Sequence, residues 1–210
     1  MHPLLRGASG ALTDLGYLLA AAYPGLRRFW RFWAGPRYRR LAPGYARVVD
    51  ADAAYFDPLK DVLPHLPPSG VIVEIGAGTG AATGILRDRF PQANLLAVDL
   101  SAEMLGLLPK ADAHAVVGDA FALPVRDAIA DLAIVHNAPF AVEELLRVLR
   151  PAGLAVVVLS AAGRLPGWIA RRLLVGGLSS AVTIAQERRA GAGMAWVLAK
   201  RDRQLRPVQR

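Results

Sequence analysis

Three glycines and three carboxylates are the residues of this chain best suited to hold a nucleotide-like ligand. Gly76, Gly78 and Gly80 follow directly on the run Val71–Ile75, VIVEI. A strand, a tight glycine turn and a helix start, in that order, bring backbone amides up against a ligand, because glycine has no Cβ to hold the chain away. Glu74 is the one acid inside the run; buried and unpaired it would be costly. Asp99 closes a second apolar run, Ala93–Val98, a position from which a carboxylate reaches both hydroxyls of a ribose. Asp119 follows a third, Ala113–Val117, and serves either the site or the cap of a turn. His136 leaves a fourth, Asp131–Val135, and opens the segment HNAPF with Asn137, Ala138, Pro139 and Phe140. An imidazole there is either a general base tuned near neutrality or a hydrogen-bonded residue of the pocket wall. Asp127 and Asp131 read as structural, the first on a loop and the second just before its strand.

The pattern around these residues alternates strands with helices, as a parallel sheet with crossover helices does. A helix is expected over Asp50–Leu66, with Asp57–Pro58 as a start signal inside it, and His65–Gly70 forms a hinge. Another helix runs from Thr79 to about Arg89, and Ser101 caps a short one through Leu108. Val142–Leu149 is helical, Pro151–Gly153 turns into a strand at Leu154–Ser160, and Gly167–Val175 is helical. Ala181–Arg188 and Met194–Lys200, parted by RAGAG, read as an antiparallel hairpin. The organisation is residues 1–50 as a basic, aromatic helical extension, 51–201 as the main domain and 202–210 as a polar tail.

In the extension, Leu12, Leu15, Leu19, Ala22, Tyr23, Leu26, Trp30 and Trp33 recur at steps of three and four, one helical face. Pro24 and Gly25 break it into two helices. Arg27, Arg28 and Arg31 fall on the flank away from that stripe. Two readings stand for LRRFWRFWAGPRYRR, Leu26 to Arg40. Aromatics at headgroup level with arginines toward anionic lipid make an interfacial anchor; alternatively the helices cap the domain or close its pocket, with the arginines in water.

Composition narrows the classes. The 210 residues carry 25 Lys and Arg against 17 Asp and Glu, a formal net charge of +8, and 54% are hydrophobic. Cysteine is absent and histidine numbers four, so no thiolate chemistry, disulfide or His-rich metal centre is available, and no metal site is expected. Charges and prolines interrupt every apolar stretch before it reaches membrane-spanning length. A basic balance draws nucleic acid or anionic lipid. Nucleic acid is disfavoured because the basic residues form no long stripe with exposed aromatics over the pocket.

Four landmarks in order carry a family resemblance: EIGAGTG at Glu74–Gly80, LLAVDLS at Leu95–Ser101, GDAFALP at Gly118–Pro124 and EELLRVLRPAG at Glu143–Gly153. Over about residues 50–200 the chain resembles the class I, Rossmann-like S-adenosylmethionine-dependent methyltransferases, particularly the type 11 or 25 small-molecule group. The resemblance implies an α/β fold: a three-layer sandwich on a mostly parallel seven-stranded sheet with a C-terminal antiparallel hairpin, plus the N-terminal helices. It implies S-adenosylmethionine as cofactor, with Glu74 near the methionine end and Gly76, Gly78 and Gly80 in the loop. Asp99 would take the ribose, Leu100 pack beside the adenine, Asp119 accept from the adenine amino group and Ala120 offer its backbone amide. Asn137, at the start of the substrate-facing loop, would also contact the cofactor, and His136 is the candidate catalytic residue. An NAD-dependent reductase is the competing use of such a loop; here Ala81 stands where its later glycine belongs, and no Tyr–Lys proton donor pair stands out.

The implied reaction is in-line methyl transfer to a small, hydrophobic or lipid-like acceptor, in the cytoplasm or peripherally on the inner membrane surface. Trp30, Trp33, Tyr38, Tyr45, Tyr55, Phe56, Trp168, Arg171 and Arg172 are the candidate acceptor-pocket residues. Two alternatives remain open. HNAPF is similar to the NPPY/F motif for planar nitrogens of nucleobases or amides, with Ala138 in place of the first proline. A non-catalytic cofactor-binding or assembly module is the other, against which the intact Glu74, glycines, Asp99 and Asp119 speak. Oligomeric state is open.

Overall fold

The computed structural model describes residues 3–32, 40, 42, 44, 54–110, 112–177 and 182–200. Among them, seven strands form one sheet: β1 (Val71–Ile75), β2 (Asn94–Asp99), β3 (His114–Val117), β4 (Ala130–His136), β5 (Leu149–Leu159), β6 (Val182–Ala190) and β7 (Gly193–Lys200). Their spatial order is β3-β2-β1-β4-β5-β7-β6. The first five pair in parallel, and β7 runs antiparallel between β5 and β6, so the terminal hairpin is present. β1 pairs with both β2 and β4, so strand order reverses beside it; such a switch point opens a crevice at the carboxyl ends of the strands.

The helices are α1 (Pro3–Ala22), α2 (Asp57–Val62), α3 (Ala81–Arg89), α4 (Ala102–Leu105), α5 (Val142–Val148) and α6 (Gly167–Gly177). Alternation along β1 explains the two cores between these layers. Val73 and Ile75 pack with Tyr17, Leu18, Trp30, Leu145 and Leu174, on the face covered by α1, α5 and α6. Ile72 packs with Leu59, Val62, Leu86 and Leu95, on the face covered by α2 and α3. Central strands buried on both faces need near-continuous apolar runs, which is why they stand out in the sequence.

Several boundaries differ from the sequence expectation. β5 begins at Leu149, five residues early: Arg150–Gly153 stay within the strand as an irregularity, with the register shifting between Ala130 and Leu132 and Ala152 at φ 62°. α3 begins at Ala81, because Gly80 at φ 91° is its N-cap. α2 covers only Asp57–Val62 of the expected Asp50–Leu66, and residues 50–53 lie outside the described ones. So do Trp33, Tyr38, Tyr45 and the tail.

The N-terminal stripe is rotated. Pro24–Leu26 forms a 3-10 turn, as the Pro-Gly break predicts, and residues 27–32 are helical. Yet Leu12, Tyr23 and Leu26 are exposed, while Ala11, Asp14, Tyr17, Leu18 and Ala21 are buried. Small residues let α1 lie close to its neighbours: a Cβ on Gly16 would sit 2.5 Å from the Trp30 ring and one on Gly10 3.1 Å from Ala161. Leu12, Tyr23 and Leu26 therefore mark the outer face, while Tyr17, Leu18 and Trp30 face the core.

Asp131 is structural, as expected. Its Oδ2 accepts the backbone amides of Gly70 and Val71 at 2.8 and 2.7 Å, and it pairs with Arg150. Asp131→Ala strands both amides at the start of β1 and is expected to lower stability by about 2–4 kcal/mol. Asp131→Asn, which keeps an acceptor oxygen, is expected to lose less. Urea unfolding reads both, and an unchanged midpoint for the alanine variant contradicts the assignment.

Candidate functional site

A cleft of about 1000 Å³ opens at the carboxyl edge, beside the reversal of strand order. One wall is the β1 turn, Gly76 to Thr79. Gly76 has φ 76° and Gly78 φ 58°. The amides of Gly76 and Ala77 both donate to the Val98 carbonyl, at 2.8 and 3.1 Å, drawing the turn onto β2. A Cβ on Gly76 would stand 2.1 Å from that of Ala138, so this approach of the β1 and β4 ends requires glycine.

The acids divide by depth. Asp99 lines the cleft; its oxygens accept the amides of Gly78 at 2.9 Å and Ser101 at 2.8 Å. Burial raises its pKa above the usual carboxylate range, against the pull of those amides. Asp119 lines the cleft too, with Oδ1 accepting the Phe121 amide at 2.8 Å. Leu100, Ala120 and Asn137 join them. Glu74 and Gly80 are absent from the cleft wall. Strand alternation turns Glu74 toward α3, where Thr83 Oγ1 donates to Oε2 at 2.6 Å and Oε1 has no hydrogen-bond partner among the described residues. Burial pushes its carboxyl up to about 8, so it keeps its proton at neutral pH. Gly80 packs against Leu108 and Pro109 behind the turn.

His136 lines the cleft as a packed, neutral ring. It stacks on Phe56 (centroids 5.1 Å, 22°) and meets Tyr55 edge-on at 5.2 Å. Burial pushes it down to about 4, opposed only by its bond to the Tyr55 backbone. Of the two readings of this imidazole, its packing and burial favour the pocket-wall residue. Asn137, held at φ 49°, spends its amide on Ser160: Nδ2 donates to Oγ at 2.7 Å, and Oδ1 accepts the Ser160 amide at 2.8 Å. Ser160 Oγ in turn donates to the Tyr55 carbonyl.

The far wall comes from the N-terminal segment: Tyr17, Trp30 and Arg31. Trp30 is buried, 5.2 Å from Tyr17. Arg27 pairs with Glu143 and donates to the Ala20 carbonyl at 3.2 Å. Arg31 Nε lies 2.5 Å from Asp119 Oδ2. Two of the three arginines thus face the domain, correcting the reading that left them in solvent; Phe29 and Phe32 face outward instead. Asp14, buried on α1, accepts the Ala161 amide at 2.8 Å and ties the helix to the end of β5; burial pushes it up to about 7. Trp30, Tyr55 and Phe56 line the cleft as expected, whereas Trp168, Arg171 and Arg172 do not, and Trp168 is 69% exposed. Tyr17 and Arg31 went unread as pocket residues, and Ser160 as the residue that holds Asn137. The polar residue ending an otherwise apolar β5 run was the available signal for Ser160; Arg31's partner lies 88 residues away, and local spacing carries no sign of it.

Comparison with known proteins agrees with this geometry. Residues 73–157 match the methyltransferase domain family of type 11. A malonyl-[acyl-carrier protein] O-methyltransferase of Methylococcus capsulatus is 38% identical over 135 residues, 58% of this chain and 49% of that protein. A tRNA (carboxymethyluridine(34)-5-O)-methyltransferase of Mus musculus is 31% identical over 109 residues, 47% of this chain and 16% of that protein. The solved Burkholderia thailandensis 1,6-didemethyltoxoflavin-N1-methyltransferase, bound to its substrate and S-adenosylhomocysteine, shares the fold at 16% identity. Its TM-score is 0.59, covering 78% of this chain and 85% of that one. The chain is similar to the class I S-adenosylmethionine-dependent methyltransferases, with residues 73–157 matching the type 11 group. It spans about half the length of the malonyl-[acyl-carrier protein] O-methyltransferases of Methylococcus capsulatus and Marinomonas, 49% and 52%.

The two buried groups make stability depend on pH in opposite senses. The folded His136 titrates near 4 instead of 6.5, so the folded state binds fewer protons in that window and loses stability as pH falls through it. Glu74 titrates near 8 instead of 4.5, so stability falls as pH rises between those values. Between about 4.5 and 6.5 His136 opposes Glu74, and Asp14, pushed up to about 7, acts in the same sense as Glu74, so thermal unfolding from pH 4 to 8.5 is expected to show its steepest loss just above pH 6.5, where the His136 contribution is complete. His136→Gln is expected to steepen the loss between about 4.5 and 6.5, and Glu74→Gln to remove the loss between about 7 and 8; variants that merely shift the whole curve contradict the assignment.

Proposed function

We propose that this chain transfers a methyl group from S-adenosylmethionine to a small acceptor with a largely apolar, lipid-like body. The observation that carries the reading is the two-part cleft: Asp99 and Asp119 beside the glycine turn, then aromatic walls from Tyr17, Trp30, Tyr55 and Phe56. The donor set suits the cofactor. Each Asp99 oxygen accepts one amide and retains a lone pair for a ribose hydroxyl. Leu100 and Ala120 would flank the adenine, Asp119 accept its amino group, and Gly76, Gly78 and Asn137 border the rest. Glu74 and Gly80 would act from behind, shaping the turn.

In-line displacement moves the methyl from sulfonium sulfur to the acceptor's lone pair, the S–C electrons staying on sulfur, so the chain's task is alignment and exclusion of water. His136, neutral and packed, holds Tyr55 and Phe56 in the acceptor wall. The malonyl-[acyl-carrier protein] O-methyltransferase names support a small, lipid-like acceptor. Methylation of a planar nitrogen loses support, because Asn137 is committed to Ser160.

The same reading places the N-terminal face on an anionic membrane surface from the cytoplasmic side. Leu12, Phe29, Phe32 (84% exposed) and Trp168 stand out, with Arg28, Arg171 and Arg172 exposed nearby in sequence. No acid other than the buried Asp14 occurs in residues 3–32 or in α6. Among the described residues no helix is long and apolar enough to cross a membrane. Aromatics with arginines suit a peripheral contact. Flotation with vesicles containing phosphatidylglycerol is expected to carry the wild type and to lose a Phe29→Ser, Phe32→Ser variant; equal flotation contradicts the contact.

Calorimetric titration with S-adenosylhomocysteine tests the cofactor reading. Binding is expected, weakened about 10- to 100-fold by Asp99→Ala, the loss of hydrogen bonds to a charged group. A folded wild type that takes up neither S-adenosylmethionine nor S-adenosylhomocysteine overturns it.

A further inference from the structure

Resting on the methyltransferase reading, we propose that Arg31 recognises a carboxylate on the acceptor and is freed for that task when the adenine amino group replaces it on Asp119. The cofactor then binds first and switches on acceptor recognition.

Arg31 projects from a firmly seated segment. Trp30, beside it, is buried against Tyr17 and over Gly16, where a Cβ would not fit, and Arg27 anchors on Glu143 and the carbonyl of Ala20. The Arg31 side chain itself is 47% exposed, reaching Asp119 through Nε, its guanidinium 5.6 Å from the Phe121 ring centroid. Asp119 gives Oδ1 to the Phe121 amide, and Arg31 takes Oδ2. An adenine amino group directed to that carboxylate arrives where the guanidinium now stands. A half-exposed pair of this kind is a weak tie and exchanges readily.

Displacement leaves a cation in the cleft. Among the described residues Arg31 is the only Lys or Arg lining the cleft, whose other lining residues include Tyr17, Trp30, Tyr55 and Phe56. A guanidinium released from its carboxylate is free to pair with another anion, and its planar fork matches a carboxylate. The nucleophile points the same way. His136 is too weak a base to remove a proton at neutral pH, and Asp99 and Asp119 lie at the nucleoside end. A carboxylate arrives already ionised and asks for no base.

The exchange predicts positive coupling between two ligands, reciprocal by linkage. Calorimetry on the full chain measures it with S-adenosylhomocysteine, octanoate as the anionic probe and octanol as its uncharged counterpart. Octanoate is expected to bind about 10-fold more tightly to the chain saturated with S-adenosylhomocysteine, within the usual span of such couplings. Octanol is expected to show no gain. Arg31→Gln is expected to bind S-adenosylhomocysteine at least as tightly as the wild type and to lose the octanoate coupling, with Arg31→Lys keeping part of it. Octanoate that gains nothing from the first ligand, or gains equally in Arg31→Gln, overturns the proposal while leaving the cofactor reading intact. So does weaker S-adenosylhomocysteine binding by the glutamine variant. A wild type that binds no S-adenosylhomocysteine overturns both.

Discussion

The end of β1 is pressed between its neighbours more closely than any side chain but hydrogen permits. At Gly76 a Cβ would collide with that of Ala138, and the two amides there share one carbonyl, that of Val98. This close approach sets the ends of β1, β2 and β4 at one level. Gly78 then falls within reach of Asp99, and Asn137 turns at φ 49° to reach Ser160 on β5. The crevice on that edge follows from strand order, but its fine shape follows from a glycine that cannot be replaced without moving a strand.

The cleft is closed by a segment with two different faces. Inward, α1 and residues 27–32 present small residues, Tyr17, Trp30 and the arginines that meet Glu143 and Asp119. Outward they present Leu12, Phe29 and Phe32. The inner face joins the same core as β1, so the wall of the acceptor half and the packing of the sheet depend on each other. The buried Asp14, held by the Ala161 amide, stitches that wall to the end of β5.

What could be read from residues alone tracks the range of the forces involved. The central strands were legible because burial on both faces demands unbroken apolar runs, and the glycines and Asp99 because strand ends define a ligand edge. β5 ran five residues earlier than its pattern implied, since an irregularity absorbed Pro151–Gly153 without ending the pairing. The α1 stripe came out rotated because large apolar residues dominate a periodicity reading, whereas close helix packing here selects alanine and glycine. Glu74 read as a cleft residue because its distance along the chain is right; strand alternation, a local rule, puts it on the α3 side. The Arg31–Asp119 and Asp14–Ala161 contacts join positions 88 and 147 apart and leave no local trace.

Methyl transfer from a sulfonium asks for alignment more than for acid or base, which suits a cleft whose histidine is neutral and packed. On this reading the cofactor occupies the carboxyl edge on Asp99 and Asp119, beneath the N-terminal segment. A crystal structure with S-adenosylhomocysteine bound tests it most directly. Ribose hydroxyls are expected on Asp99, adenine between Leu100 and Ala120, and the Arg31 guanidinium moved off Asp119. Cofactor density elsewhere, or an adenine that leaves Asp99 and Asp119 untouched, would contradict it.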